Sequence, residues 1–295
     1  MKKILILILI SHFSMLCFSQ TNISSGEVIG AWTKSGSPYN IMGDITLSSG
    51  TLNIEAGVNI VFQGNYSFTV SGSGNIIAKG TKSNGIQFTA TTSWSGLRIQ
   101  NMSASTDSSI FEFCTFTRSK KTYNSTDAAG VANRDGGAIY INTFGKIRFE
   151  NSIITNNSCS ATSTFTSGYL YGGGVFLLNA AVKFINCEIS NNSASFSMSS
   201  YGGGLYLGNS NAKIINCGIS NNTASSGYYS FGGGLFLDNS NALILNCNVI
   251  NNLSSAPNTT GTSSLGGGFY VAGSSVPNIT NCDIVSNSTG YAPKF

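Results

Sequence analysis

Charge is what this chain has least of: Asp, Glu, Lys and Arg make up 9% of its 295 residues, where a soluble domain ordinarily carries about a quarter. With 41% hydrophobic residues, the shortage is not that of a disordered chain, which combines high charge with few apolar side chains. Histidine is nearly missing. The single copy, His12, falls in an N-terminal stretch that reads as a removable leader, so the mature chain offers no imidazole to a metal. Removal of Lys2 and Lys3 with that leader leaves 13 basic residues against 11 acidic ones, which is no basic footprint for nucleic acid. Beyond the leader no apolar run is long enough to cross a bilayer as a helix, and no segment keeps a 3.6-residue apolar period.

The leader is "MKKILILILISHFSMLCFSQ". Lys2 and Lys3 precede an apolar run from Ile4 to Ile10, and Cys17, Phe18 and Ser19 precede a cut before Gln20, which predicts a signal peptide over 1–19 and a secreted or cell-surface location. Leu16 is bulkier than a lipoprotein cleavage site accepts before Cys17. Residues 20–38 read as a lead-in or cap.

What the chain has in abundance is repetition. "YGGGVFLLN" begins at Tyr171, "YGGGLYLGN" at Tyr201, "FGGGLFLDN" at Phe231 and "LGGGFYVAG" at Leu265, with a looser copy, "DGGAIYINT", from Asp135. The glycine triplets are 30, 30 and 34 residues apart. Each is followed by a short alternating strand, a second strand, the word "INCEISNN" or its variant, and a Ser/Thr-rich stretch of variable length. Ile, Val, Phe, Tyr and Thr are frequent, and Gly and Asn punctuate every few residues, so each repeat reads as one coil of short strands. A lone coil cannot bury its apolar face, whereas stacked coils share a continuous core. The less exact N-terminal part ("DITLSSGTLNIEAGVNIVFQG", "GIQFTATTSWSGLRIQN") follows the same logic. The prediction is one all-β solenoid over 39–295, regular at 135–287, with about eight coils between Tyr39 and Asn287, or roughly 40 Å at ~4.8 Å per coil.

The mature chain resembles right-handed parallel β-helix proteins of the pectin-lyase-like superfamily. Its repeats are also similar to those of chlamydial polymorphic outer-membrane proteins, which pair GGA-[apolar] with F-x-x-N. Gly136-Gly137-Ala138-Ile139 matches the first motif, and later copies carry a third glycine in place of alanine. At the second motif Ile or Val replaces Phe, from Ile154 to Asn157, Ile189 to Asn192, Ile219 to Asn222, Val249 to Asn252 and Ile284 to Asn287. The resemblance implies a right-handed parallel β-helix exported to the cell surface or beyond. A sugar-chain-cleaving activity is also found on that architecture.

Stacking turns repeated residues into columns. Cys187, Cys217, Cys247 and Cys282 form one, with Ser152 and then Cys114 in the preceding coils. It reads as a ladder of small buried residues; the alternatives are a metal, redox or disulfide ladder, for which parallel Cβ vectors are poorly aimed. No metal and no cofactor is expected. Asn151, Asn186, Asn216, Asn246 and Asn281 fall where the chain should bend; asparagine tolerates left-handed backbone angles there and can bond amide to amide between coils. "NNS" and "NNT" also contain glycosylation acceptors. The glycine triplets lack the Lys-Ser/Thr and helix start of a phosphate cradle and are read as backbone positions denied to larger residues.

Two kinds of functional site can be drawn. The charge-rich segment from Arg118 to Gly137 contains Asp127, Arg134 and Asp135, which a lyase would use as calcium ligands and base; calcium enters only with that reading. The binding reading rests on aromatics. Alternation sets Tyr140, Phe176, Tyr206, Phe236 and Tyr270 in an outward column, and Tyr169, Phe196, Tyr228 and Tyr229 in loops that leave one side of the solenoid. These suit a sugar or protein contact. The expectation is a non-catalytic binding or adhesion protein for a polysaccharide or surface protein. The alternatives are a lyase or hydrolase of acidic glycans and a structural spacer. Uncovered strand edges at the solenoid ends also predict either a truncated piece of a longer protein or end-to-end self-association.

Overall fold

In the computed structural model, which describes residues 20–104, 108–123, 136–161, 168–257 and 259–290, the chain winds as a right-handed parallel β-helix. Every strand pairing is parallel and joins one coil to the next. A first sheet has ten strands, from Thr21–Ile23 to Asp283–Val285. The second and third have nine each, running from Gly26–Glu27 to Phe269–Ala272 and from Gly30–Trp32 to Asn278–Thr280.

Three expectations change. The first sheet holds nine strands from Tyr39–Ile41 onward, one more than the predicted coil count, because the N-terminal coils lack the glycine triplets that mark the boundaries of the later ones. Residues 20–38 hold a further set of strands: Thr21 pairs with Tyr39, Gly26 with Ile45 and Gly30 with Leu52. The stretches read as variable loops are themselves ordered. They form a six-stranded fourth sheet from Lys120–Tyr123 to Ser288–Gly290 and a four-stranded fifth sheet comprising Tyr169–Tyr171, Ser199–Tyr201, Tyr229–Phe231 and Ser263–Leu265. A regular coil thus has five strands and carries a side arm. The arm closes on small residues: Ala194, Ala224, Ser200 and Ser230 are fully buried, and Ser200 and Ser230 donate to the carbonyls of Ser225 and Ala224 across it.

The interior follows the side-chain alternation of the strands. Phe88 stacks on Phe116 at 4.6 Å, and Phe111, Phe149 and Phe184 form a continuous pile with centroids 4.8 and 5.1 Å apart. Beyond Phe184 the same column passes to Ile214, Ile244 and Ile279.

Candidate functional site

Within strands, backbone groups bond coil to coil. At corners the geometry breaks, and a buried N–H needs another acceptor. The repeated words supply one from the following coil. Between second and third sheets, Ser210 Oγ accepts from the Ala180 N–H (3.0 Å) and Ser240 Oγ from Ser210 (2.8 Å). Between third and first sheets the acceptor is sulfur: Cys217, Cys247 and Cys282 accept from the N–H groups of Cys187, Cys217 and Cys247, each at 3.4 Å. Ser152 Oγ serves Cys114 in the same way at 3.0 Å. The thiols in turn donate to carbonyls, as Cys187 does to Ile185 at 3.3 Å.

Between first and fourth sheets lies an amide ladder made of the final asparagine of each I/V-x-x-N word, buried at Asn157, Asn192, Asn222 and Asn252 and half-buried at Asn287. Asn222 Oδ1 accepts from both the backbone N–H and the Nδ2 of Asn192 (3.0 and 3.1 Å), and its own Nδ2 donates to Ile189 O (2.8 Å) and Asn252 Oδ1 (3.0 Å). At the first rung Asn157 Oδ1 receives the Ser119 N–H. The column at Asn151, Asn186, Asn216, Asn246 and Asn281 lies outside. Its residues take positive φ of 48–55°, and exposed amides link neighbours, with Asn216 donating to Asn186 at 3.1 Å. Sequence reasoning predicts only the outer ladder, although the final Asn of each I-x-x-N word marks the inner one. The inner ladder also explains the third glycine: a Cβ on Gly204 would sit 2.9 Å from Asn222 Cγ and 2.7 Å from Gly234 O. The first glycine is needed for φ, +69° at Gly202.

Cys114, Cys187, Cys217 and Cys247 are buried and all described cysteines are free, with Cys282 half-buried. Burial pushes the Cys114 thiol up, the hydrogen bond shared with Cys187 pushes Cys217 up to about 12, and the bond with Cys217 raises Cys247. Cys187, at the other end of its bond with Cys217, is lowered by it. A thiol held protonated is a poor nucleophile and metal ligand. Among the described residues no three His, Cys, Asp or Glu side chains gather as a metal site.

The aromatic column of the second sheet does point away from the main core, but it is not a surface. Phe176 stacks on Tyr140 and Tyr206 at 5.2 Å each, and Tyr206 on Phe236 at 5.4 Å. Exposure at Tyr140, Phe176, Tyr206 and Phe236 is only 3–6%. The arm covers them with a second row, Tyr171, Tyr201 and Phe231, and Tyr171 meets Tyr206 at 4.5 Å. Tyr270, in the last described coil, is half-buried against the same cluster. Alternation gives the side a residue faces, not what lies over it. Phe196 is likewise 4% exposed, within the arm's own core beside Cys159, Leu170 and Ala194.

The aromatics left on the surface are Tyr169, Tyr228 and Tyr229, at 54, 47 and 42% exposure. Register puts Tyr169, Ser199, Tyr229 and Ser263 in one column of the fifth sheet. Ser199 therefore leaves a notch between two tyrosines on alternate coils, ~10 Å apart at ~4.8 Å per coil. The resulting groove, about 460 Å³, is floored by Ser199 and Met198 and backed by Tyr201 and Phe231, with Tyr228 at its side. No charged residue lines it among the described residues. Burial, the largest influence on the Tyr201 hydroxyl, raises its pKa and keeps it a neutral donor.

Asp127, Arg134 and Asp135 lie outside the described residues, as do residues 1–19 of the leader. No described helix is long and apolar enough to cross a membrane. No protein family, curated protein or solved structure compared with the chain matches it.

Proposed function

We propose that this chain is an exported β-helix that binds an extracellular polysaccharide without cleaving it, through the groove walled by Tyr169, Tyr228 and Tyr229. The observation that carries the reading is the Ser199 notch. A repeat that puts an aromatic ring at this column on alternate coils and a serine between them leaves a ring-sized gap flanked by two exposed rings and lined with hydroxyls. Sugar rings have an apolar face and a hydroxyl rim, and they match both features. Without a lining charge, the groove favours an uncharged sugar. Kinship with the pectin-lyase-like superfamily, and with the outer-membrane repeat proteins named above, is part of the same proposal; the parallel coils and the GGA/I-x-x-N words support it.

The test is a panel of neutral and acidic polysaccharides, with calcium present, in which binding and chain cleavage are recorded together. Binding of a neutral glycan that falls about tenfold for each of Tyr169→Ala and Tyr229→Ala, near 1.4 kcal/mol per ring, is the expected result. Cleavage that disappears in Asp135→Asn or Arg134→Gln would instead establish an enzyme. Absence of both activities would leave a spacer.

A further inference from the structure

A second surface is set apart from the tyrosine groove by both position and chemistry. On the outer face of the third sheet, register places Arg148, Lys183 and Lys213 on three successive coils. They form a line parallel to the solenoid axis, ~4.8 Å per step and ~10 Å from end to end. Like charges directly opposite one another on neighbouring strands work against folding, and no other column among the described pairings sets three like charges on successive coils. Among the described residues Glu150 is the acid beside the line, and it pairs with Arg148 at 3.3 Å. Glu112 is Glu150's neighbour in register and in turn faces Lys79. Lys183 and Lys213 are exposed and make no ion pair among the described residues. The Nε of Arg148 is shielded from water and has no acceptor.

At the head of the line is a hollow of about 300 Å³ bordered by Lys146, Arg148 and Lys183, with Ile110 and Ile147 beneath. Arg148 already pairs with Glu150, and Lys146 Nζ donates to Ala104 O at 3.2 Å, so the charge that this hollow and the line beyond it offer an anionic group comes chiefly from Lys183 and Lys213. The half-buried Ile185 and Ile215 flank the line, with no exposed aromatic ring among them on which a base could stack.

We infer that this face binds an extended polyanionic glycan, one anionic group seated at the hollow against Lys183 and the chain running along the axis past Lys213. A line one residue wide with a fixed axial step fits a linear polymer carrying a charge at each step, rather than a flat lipid surface. Ligand binding would also relieve the repulsion that the bare face carries. Carboxylated and sulfated glycans share this chemistry. The site does not depend on the tyrosine groove, and either can fail alone.

The experiment measures binding of the purified protein to dextran sulfate, to polygalacturonate, to neutral dextran and to single-stranded DNA at several salt concentrations. Wild type should bind at least one anionic glycan and not the neutral polymer at this face. Lys183→Gln with Lys213→Gln should weaken that binding at least tenfold and lower the salt dependence by about two ions. The control pair Lys34→Gln with Lys120→Gln removes equal charge away from this face, at the first-coil turn and on the fourth sheet, and should change binding less than threefold. Lys183→Arg with Lys213→Arg should retain it. The free Lys→Gln ladder variant should melt no lower than wild type, showing that lost binding is not lost folding. Equal losses in both Gln pairs would reduce the effect to net charge and overturn the inference, as would absence of binding to either anionic glycan. Tighter ladder-dependent binding to DNA at matched salt would overturn the glycan assignment.

Discussion

The two ends of the solenoid reach one architecture by different means. From Thr21 to about Glu112 the coils have three strands, and each interior is individually fitted: Trp32 stacks on Tyr39, and Trp94 stacks on Phe62 at 4.4 Å while donating Nε1–H to Thr117 O. From Gly136 onward the coils gain an arm and become nearly identical. Isoleucine and leucine replace stacked phenylalanine, and serine, cysteine and asparagine ladders carry the corners. A buried amide is costly unless each of its groups is paired. A ladder pairs them only when the coils before and after present the same residue at the same register. Repetition is therefore what makes polar corners affordable inside an apolar stack. Both candidate surfaces lie in the repeated part, where one register repeats its side chains over three or more successive coils.

The largest expected effect is in the fitted half. Phe111→Ala removes a ring stacked between neighbouring coils and should cost about 3–5 kcal/mol, seen as a lower denaturant midpoint. Next is the central amide of the inner ladder. Asn222→Ala strips acceptors from Asn192 and leaves Ile189 O and Asn252 Oδ1 short of a donor, for about 2–4 kcal/mol. The outer-ladder variant Asn216→Ala, at an exposed amide, should cost under about 1 kcal/mol in the same assay, much of it from the left-handed backbone. Equal losses at Asn216 and Asn222 would remove the distinction between the two ladders.

The sulfur column sharpens the comparison further. Cys217→Ala takes the acceptor from the Cys187 N–H, for about 1–2 kcal/mol. Cys217→Ser keeps an acceptor where Ser152 already serves one coil stack and should cost less. Because these thiols have folded pKa values raised above the ordinary 9.0 at Cys114, Cys217 and Cys247, their contribution is complete below about pH 9 and is lost as pH rises toward the folded values. An alkaline melt series of wild type against Cys217→Ser reads this directly. The smallest effect is kinetic: at neutral pH a thiol reagent should modify half-buried Cys282 well before the buried members of the column.

Much of the fold was legible because glycine triplets and N-C words recur at constant spacing, and constant spacing forces columns. The arm was harder to read. "ASFSMSSY" and "ASSGYYSF" carry too few apolar residues to announce strands, and what orders them is close Ala/Ser packing between two sheets, a tertiary effect. For the same reason alternation shows the side that Tyr140, Phe176, Tyr206 and Phe236 face but not that they are buried, since the residues covering them belong to the arm. The Tyr169, Tyr228 and Tyr229 positions were legible as loop aromatics; the notch at Ser199 was not, because it depends on the register between coils. The Arg148, Lys183 and Lys213 line is illegible in the sequence for the same reason: 30 or more residues separate its members along the chain.

The most direct test of the account is native-state hydrogen exchange on wild type and Asn222→Ala. The account predicts slow exchange at the corner amides of Asn192, Asn222 and Asn252 in wild type, with protection in the variant lost chiefly in the coils adjoining Asn222 and kept in the fitted coils before Glu112. Fast exchange at those corners in wild type, or uniform loss from one end of the solenoid to the other, would contradict the claim that in-register ladders hold the repeated half together.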